Sequence, residues 1–148
     1  MKKFTFSLNT VKEYKEKLLD NLKAEQSIIL VAVENQKELI KEMEGTENLV
    51  NIELNEKNSK GITPYELMNY QRYIKVLQSD IRKEHEKLAR LEIAAEEKRK
   101  ELVEMKKETT SFEKLEEKKL KEYNAQVRKV DEIFIEEFVS NQKYAVRR

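Results

Sequence analysis

The chain has 148 residues, of which 40% are charged, two are glycine and one is proline. Average globular chains have about 25% charged residues and about 12% glycine plus proline. This composition is typical of long helices. With 39% apolar residues, such helices keep most of each turn in water, so the composition disfavours a thick globular core. We expect one all-α, elongated domain over residues 1–148.

The charge is balanced, because 30 basic and 29 acidic residues give a net charge of +1 and the two signs are interleaved. A surface of one sign, as nucleic-acid binders have, is not indicated. No apolar run is long enough to span a membrane, and the first residues contain no apolar signal segment. The absence of cysteine excludes disulfides and is compatible with a reducing compartment. We expect a cytoplasmic protein.

The first predicted helix covers about residues 8–55. Its apolar residues recur at spacings of three, four and seven, which is the heptad pattern of a coiled coil. Gly45 lies inside this helix and costs about 1 kcal/mol relative to alanine, so the helix either bends or frays there or tolerates a harmless glycine. The predicted contact stripe consists of Val11, Leu18, Leu22, Ile29, Ala32, Leu39, Met43 and Val50.

A polar turn over about residues 56–63 precedes a second predicted helix over about 64–142. Thr63 is the predicted N-cap, Pro64 occupies the first helical position, and Glu66 follows the cap by three residues. A second heptad series then places Glu84 and Lys98 among apolar residues. The apolar members are Leu67, Tyr70, Ile74, Leu77, Ile81, Leu88, Leu91, Ala95, Leu102, Met105 and Phe112.

Two apolar stripes joined by a short turn predict a long antiparallel two-helix coiled-coil hairpin. With the turn centred near residue 60, Phe4 faces about Glu117. The second helix then overhangs at the end with the termini, beyond about Leu120 and over about 30–40 Å. Its apolar stripe continues there through Leu120, Tyr123, Val127, Val130, Phe134 and Phe138, with Ile133 beside it.

An apolar stripe without a partner in its own chain indicates an external partner. Three alternatives remain open: the first helix is shifted, the overhanging helix frays, or the N-terminal segment folds back over it through Phe4 and Phe6. A self-associating structural coiled coil, in which residues 120–138 pair between copies, is also open.

The sequence offers no catalytic constellation. A phosphate-binding loop needs more glycine than the chain has, and His85 has no second histidine or cysteine to share a metal with. Glutamate pairs are numerous, but two helices provide almost no buried pocket to perturb their pKa values. We therefore expect neither an enzyme nor a cofactor, metal or small-molecule site.

Five short motifs follow one another along the chain: Phe4-x-Phe6-x-Leu8, Gly61-Ile62, Asn69-Tyr70-Gln71-x-Tyr73-Ile74-x-x-Leu77, Phe112-Glu113-Lys114-Leu115 and Asp131-Glu132. Together they resemble the FliJ family of flagellar type III export proteins, over essentially the whole chain. The resemblance implies an antiparallel two-helix coiled coil similar to the central stalk of rotary ATPases. The equivalent stalk of a virulence type III secretion system is a close alternative.

The resemblance also implies three kinds of partner. The end with both termini would bind and activate the ring of the flagellar export ATPase. The middle would contact the cytoplasmic domain of the large export-gate membrane protein. The protein would further act as a general chaperone that binds export substrate chaperones, at the cytoplasmic face of the flagellar basal body.

Candidate residues follow for two of these contacts. The resemblance assigns the gate contact to Leu39 and Met43 on the first helix and to Tyr73 and Leu77 on the second. Neighbouring positions of that surface, Thr46, Val50, Asp80 and Glu84, depart from the family pattern. The ring contact is assigned, from the overhang and the resemblance together, to Phe4, Phe6, Tyr123, Val127, Val130 and Phe134.

Overall fold

A computed structural model describes residues 2–147 and contains two long helices, α1 (Asn9–Lys60) and α2 (Pro64–Val146), with no strand among these residues. The predicted all-α helical hairpin is confirmed. The chain divides into two compact units: Met1–Asp20 with Val103–Arg148, here called the terminal unit, and Asn21–Leu102, here called the turn unit. The single domain expected from composition stays a prediction.

The turn between the helices is shorter than expected, because α1 continues to Lys60 instead of ending near residue 55. The polar residues of this stretch do not stop a helix. The stop is Gly61, whose φ of 101° lies in the left-handed region that favours glycine. The start of α2 is as expected: Pro64 is its first residue, and the Thr63 hydroxyl accepts the Glu66 N–H at 3.2 Å.

In the turn unit the two helices run antiparallel. The Tyr70 hydroxyl donates to Glu53, the Gln78 amide donates to Glu47 at the same distance of 2.9 Å, and Lys98 Nζ lies 2.6 Å from Glu25. In these three contacts, residues with higher numbers in α1 have partners with lower numbers in α2, as antiparallel helices require. We call the line of residues that each helix turns toward the other its seam.

The seam of α1 differs by one residue from the predicted stripe at three of the eight predicted positions. Leu19, Val33 and Ile40 are buried, whereas their predicted neighbours Leu18 and Ala32 are half-buried and Leu39 is 41% exposed. The sequence has apolar residues at both positions of each pair, and both choices satisfy the three-four spacing. Contact with α2 decides between them. Four of the remaining predicted positions lie in the seam as expected: Leu22, Ile29, Met43 and Val50. The prediction is wrong for Val11, which is 42% exposed because the next residue, Lys12, turns toward α2 and pairs with Glu116.

The seam of α2 follows the predicted series from Leu67 to Phe112, and each of its members is buried or half-buried, including Glu84 and Lys98. Thr109, in the terminal unit, is an addition that the apolar pattern does not reveal, and it is only 1% exposed. Its hydroxyl donates to the Lys106 carbonyl at 3.0 Å, so burial leaves no polar atom unsatisfied.

Candidate partner-binding surfaces

In the terminal unit, two ion pairs hold the first turns of α1 against α2. Lys15 Nζ lies 3.0 Å from Glu108, and Lys12 pairs with Glu116. The hydrogen bond from Lys12 to Glu116 is the main cause that raises the pKa of this lysine above its ordinary value. These contacts fix where helix pairing ends and where α2 begins to lose its partner.

Beyond the start of α1, a non-helical segment continues the coverage of α2. This N-terminal strap, residues 2–8, brings the Phe4 ring to 5.5 Å from the Tyr123 ring, at an interplanar angle of 49°. The Tyr123 hydroxyl donates to the Lys2 carbonyl at 2.6 Å, and Phe6 is buried. The Asn9 N–H closes the strap on the Phe6 carbonyl at 3.1 Å.

The strap corrects the expected register. Phe4 lies against Tyr123 and not near Glu117, because an extended segment covers more length per residue than a helix. α2 is therefore covered past the predicted limit at Leu120. The alternative that the N-terminal segment folds back through Phe4 and Phe6 is therefore correct for the strap and the part of α2 that it covers, up to about Val127, which we call the base.

Coverage ends near Val127, which is half-buried. From residue 128 to 147 every residue of α2 is exposed, and we call this segment the overhang. At about 1.5 Å per residue it is about 30 Å long. Phe134 is 68% exposed, and the other large apolar side chains in the same condition are Val130, Ile133, Ile135, Phe138, Val139, Tyr144 and Val146.

The predicted ring-binding set therefore divides into two parts. Phe4, Phe6 and Tyr123 belong to the base with Val127, where the strap packs on α2. Only Val130 and Phe134 lie in the overhang.

Sequence reasoning also missed four exposed residues of the overhang. Ile135 and Val139 fall outside a single heptad stripe, and Tyr144 and Val146 lie beyond the predicted end of the helix near residue 142, whereas α2 continues to Val146. The three consecutive apolar residues 133–135 were the available signal, since adjacent helical positions point about 100° apart.

The charges of the overhang are ordered along its length. Basic residues come first, four acidic residues follow, and basic residues end the segment. In that order they are Arg128 and Lys129; Asp131, Glu132, Glu136 and Glu137; Lys143 and Arg147. A partner that encloses this helix would therefore meet bands of positive, negative and positive charge along the helix axis.

The four predicted gate-binding residues all belong to the turn unit, but only two are accessible. Tyr73 and Leu39 are exposed, Met43 is half-buried, and Leu77 is a seam residue with 9% exposure. Leu77 and Met43 therefore contribute mainly by holding the two helices together. Val76, one turn of sequence beyond Tyr73, is exposed and adds apolar surface that sequence reasoning did not assign.

Leu39 and Tyr73 share one flank of the helix pair. Each immediately precedes a seam residue, Ile40 or Ile74. His85 and Glu44 instead follow seam residues, and they meet at 3.2 Å across the opposite flank. Because an antiparallel pair has local two-fold symmetry, the preceding positions lie together on the first flank. Thr46 and Asp80 occupy equivalent positions there, so the apolar surface of this flank is interrupted.

A polar layer crosses the seam at the level of Leu39. Gln36 Nε2 donates to the Glu84 backbone carbonyl at 2.9 Å and to its carboxylate at 2.5 Å. This hydrogen bond to the carboxylate is the main cause that lowers the pKa of Glu84, and Lys87 at 3.4 Å adds to it. This half-buried carboxylate, at a position of the predicted gate-binding surface, thus has a role inside the hairpin.

Residues 2–147 bring no three histidine, cysteine or acidic side chains together in a way that could hold a metal ion. In the same part of the chain, neither helix has a stretch apolar enough to cross a lipid bilayer.

The chain matches a known protein family. The family model described as "Flagellar FliJ protein" matches residues 4–147, nearly the whole chain. No curated protein and no solved structure matches. The family consists of structural and chaperone proteins of flagellar export. The match includes the strap, both helices and the overhang, and the chain therefore belongs to the FliJ family of flagellar export proteins.

Proposed function

We propose that the chain is a non-enzymatic stalk and general chaperone that binds and activates the flagellar export ATPase ring and links it to the export gate. The observation that carries this proposal is the overhang. Its apolar side chains are exposed over about 30 Å of continuous helix, and no other segment among residues 2–147 covers them. Exposed apolar surface of this extent is a common mark of a protein interface.

A single helix about 10–12 Å wide with its side chains suits the central pore of a hexameric ring. The overhang would stabilise the assembled ring if it binds that ring more tightly than free subunits, since a ligand shifts an equilibrium only by such a difference in affinity. The alternating bands of charge would fix how deeply the helix enters. The strap then sets the base from which the overhang starts.

The exposed flank with Leu39 and Tyr73 supports the proposed gate contact. Tyrosine is a frequent anchor of interfaces because it buries a large ring and keeps its hydroxyl available for hydrogen bonding. Leu77 and Met43 would support this contact indirectly, through the packing beneath the flank. Contacts with both partners would place the protein in the cytoplasm, at the cytoplasmic face of the flagellar basal body.

The test is ATP hydrolysis by the cognate export ATPase, measured across its concentration range with the full chain and with a Val130→Asp, Phe134→Asp variant. The full chain should shift hydrolysis to lower ATPase concentration, and the variant should not. Circular dichroism should show unchanged helical content, because both side chains are exposed. Ile93→Asp is the matched control, since it introduces the same charge at an exposed apolar residue of α2 outside the overhang and should leave stimulation intact.

Stimulation by the doubly substituted chain equal to that by the unchanged chain would rule out entry of the overhang into the ring. The second candidate function, self-association, uses the same overhang between two copies. It predicts a dimer, so the mean mass measured by light scattering should fall toward that of a monomer on dilution. The same two substitutions should abolish the dimer.

A further inference from the structure

Within the turn unit, α1 carries a second apolar stripe on the face opposite its seam. The stripe consists of two groups of three residues with the same internal spacing. The members of each group are small, large and large in that order, and Ile28 and Leu49, at 70% and 69% exposure, are the most exposed. The second group follows the first by three heptads. The groups are Ala24, Ile28 and Val31, and Gly45, Leu49 and Ile52.

The outward face of α2 in the same unit shows what an ordinary solvated face looks like in this protein. Between residues 79 and 100 it carries mainly charged side chains, with Ile93 as its one large apolar residue. Before residue 79 it exposes Tyr65, Met68 and Val76, which do not recur at one spacing. The apolar residues of α1 instead form two groups of identical spacing on one line of the helix, which a solvated face does not require. A helix with apolar residues on two opposite faces has a second surface that packing within the hairpin leaves uncovered.

Gly45 adds an independent indication. α1 runs through it without a break, its φ is not positive, and a Cβ built there meets no atom within 4 Å. Neither backbone conformation nor crowding inside the chain requires glycine at this position, although glycine weakens a helix. A missing side chain lets another backbone approach closely, and Ala24 provides the same feature at the equivalent position of the first group.

The residues of the stripe between the two apolar groups indicate which charge a partner would need there. Asn35, Glu38 and Glu42 occupy the stripe there. The ion pairs of this stretch use Glu34 with Lys37 and Glu44 with His85, and among residues 2–147 no cation pairs with Glu38 or Glu42. The stripe therefore presents two carboxylates, one turn apart, between two apolar groups.

These carboxylates argue against a second copy as the occupant. A parallel copy would place Glu38 against Glu38. An antiparallel copy that matches the two apolar groups would also place Glu38 against Glu38, with Glu42 opposite Asn35. Both arrangements bring like charges together where an interface excludes water, which disfavours pairing.

We propose that the outward stripe of α1, from Ala24 to Ile52, is a docking surface for an amphipathic helix of another protein. The partner helix carries apolar residues at heptad spacing at both ends of a contact about 40 Å long. At its centre it carries lysine or arginine opposite Glu38 and Glu42. This surface lies in a different segment from the overhang, and on a different face of α1 from Leu39, so it goes beyond the proposed stalk function.

The experiment uses two synthetic helical peptides long enough to span the stripe. Both have leucine at the positions that face the two apolar groups, and they differ only at the two central positions, which are lysine in the basic peptide and glutamate in the acidic peptide. Fluorescence anisotropy measures their binding to the full chain. The basic peptide should bind at least about tenfold more tightly, and Glu38→Gln with Glu42→Gln should remove this preference.

Variants locate the contact. Ile28→Ser with Leu49→Ser should weaken the basic peptide by about tenfold or more, whereas Ile93→Ser, at an exposed apolar residue of α2, should not change its affinity. The Val130→Asp, Phe134→Asp chain should bind the peptide normally, which separates this surface from ring binding. Gly45→Ala should raise the thermal midpoint of the free chain and weaken peptide binding, two effects of opposite sign.

The proposal is overturned if neither peptide binds, if both bind equally, or if Ile93→Ser weakens binding as much as the paired substitutions. It is also overturned if sedimentation shows the unchanged chain to be a dimer that Ile28→Ser with Leu49→Ser dissociates, because a second copy would then occupy the stripe. An unchanged peptide affinity in Gly45→Ala would contradict the close approach at that residue.

Discussion

Two segments of α2 have the same kind of apolar spacing but opposite environments. They are residues 67–102, in the turn unit, and the overhang, in the terminal unit. Both are continuous helix with apolar residues at spacings of three and four. In the first, Leu77 and Ile81 are buried against α1, whereas in the second, Phe134 and Phe138 remain exposed. A heptad stripe thus shows that a helix has a contact face, but it does not show whether the contact lies in the same chain.

Substitutions of buried seam residues and of exposed residues should differ most in how far they lower the free energy of unfolding. Ile40→Ala should lower the free energy of unfolding by about 2–4 kcal/mol, because it removes buried methyl groups. Phe134→Ala and Leu39→Ala, at exposed positions, should each change it by less than about 0.5 kcal/mol. Urea unfolding followed by circular dichroism measures all three. Equal effects of Leu39→Ala and Ile40→Ala would show that the seam is misplaced.

The two glycines provide the next comparison. Gly61 forms the turn that lets the two helices pair, whereas Gly45 lies inside α1 and has no role in the turn. Gly61→Ala should cost about 1–2 kcal/mol, since φ at this residue is 101° and an added Cβ is strained there. Gly45→Ala should instead stabilise the chain by about 0.5–1 kcal/mol through higher helix propensity. Thermal unfolding of the two variants tests the signs. A stabilising Gly61→Ala would contradict the turn geometry.

The boundary between covered and free α2 is tested at the strap. Tyr123→Phe removes the hydroxyl that donates to the Lys2 carbonyl and should cost about 0.5–1 kcal/mol. Hydrogen exchange of the Asn9 N–H, which is bonded to the Phe6 carbonyl, should accelerate as the strap loosens. Tyr144→Phe is the control in the overhang and should change neither quantity. Unchanged exchange in Tyr123→Phe would mean that this hydrogen bond does not hold the strap.

The smallest expected effect is a pH dependence confined to the paired helices. The pKa of Glu84 is lowered from 4.5, chiefly by the Gln36 hydrogen bond, so its carboxylate contributes stability above that value. This contribution is lost as the pH falls through the lower folded-state pKa. Glu84→Gln should therefore flatten the loss of stability below pH 4.5. Glu92→Gln, at an exposed site of the same helix, should leave the acid dependence as it is.

The structure divides both of the candidate surfaces that resemblance and pattern predicted. The ring-binding set was chosen on the terminal end of α2, but three of its members, Phe4, Phe6 and Tyr123, pack within the strap region. The gate-binding set included Leu77, which the structure buries. In both cases the residue types were suitable, because apolar side chains serve a core and an interface equally well.

The sequence by itself determined two long helices, the start of α2 at Pro64 and the seam of α2, since capping residues and unambiguous heptads are local features. It did not determine which residue of each pair 18/19, 32/33 and 39/40 faces α2, because both satisfy the same spacing. It also did not determine that the strap reaches Tyr123. Those outcomes depend on which distant segment lies opposite, and only tertiary contact decides that.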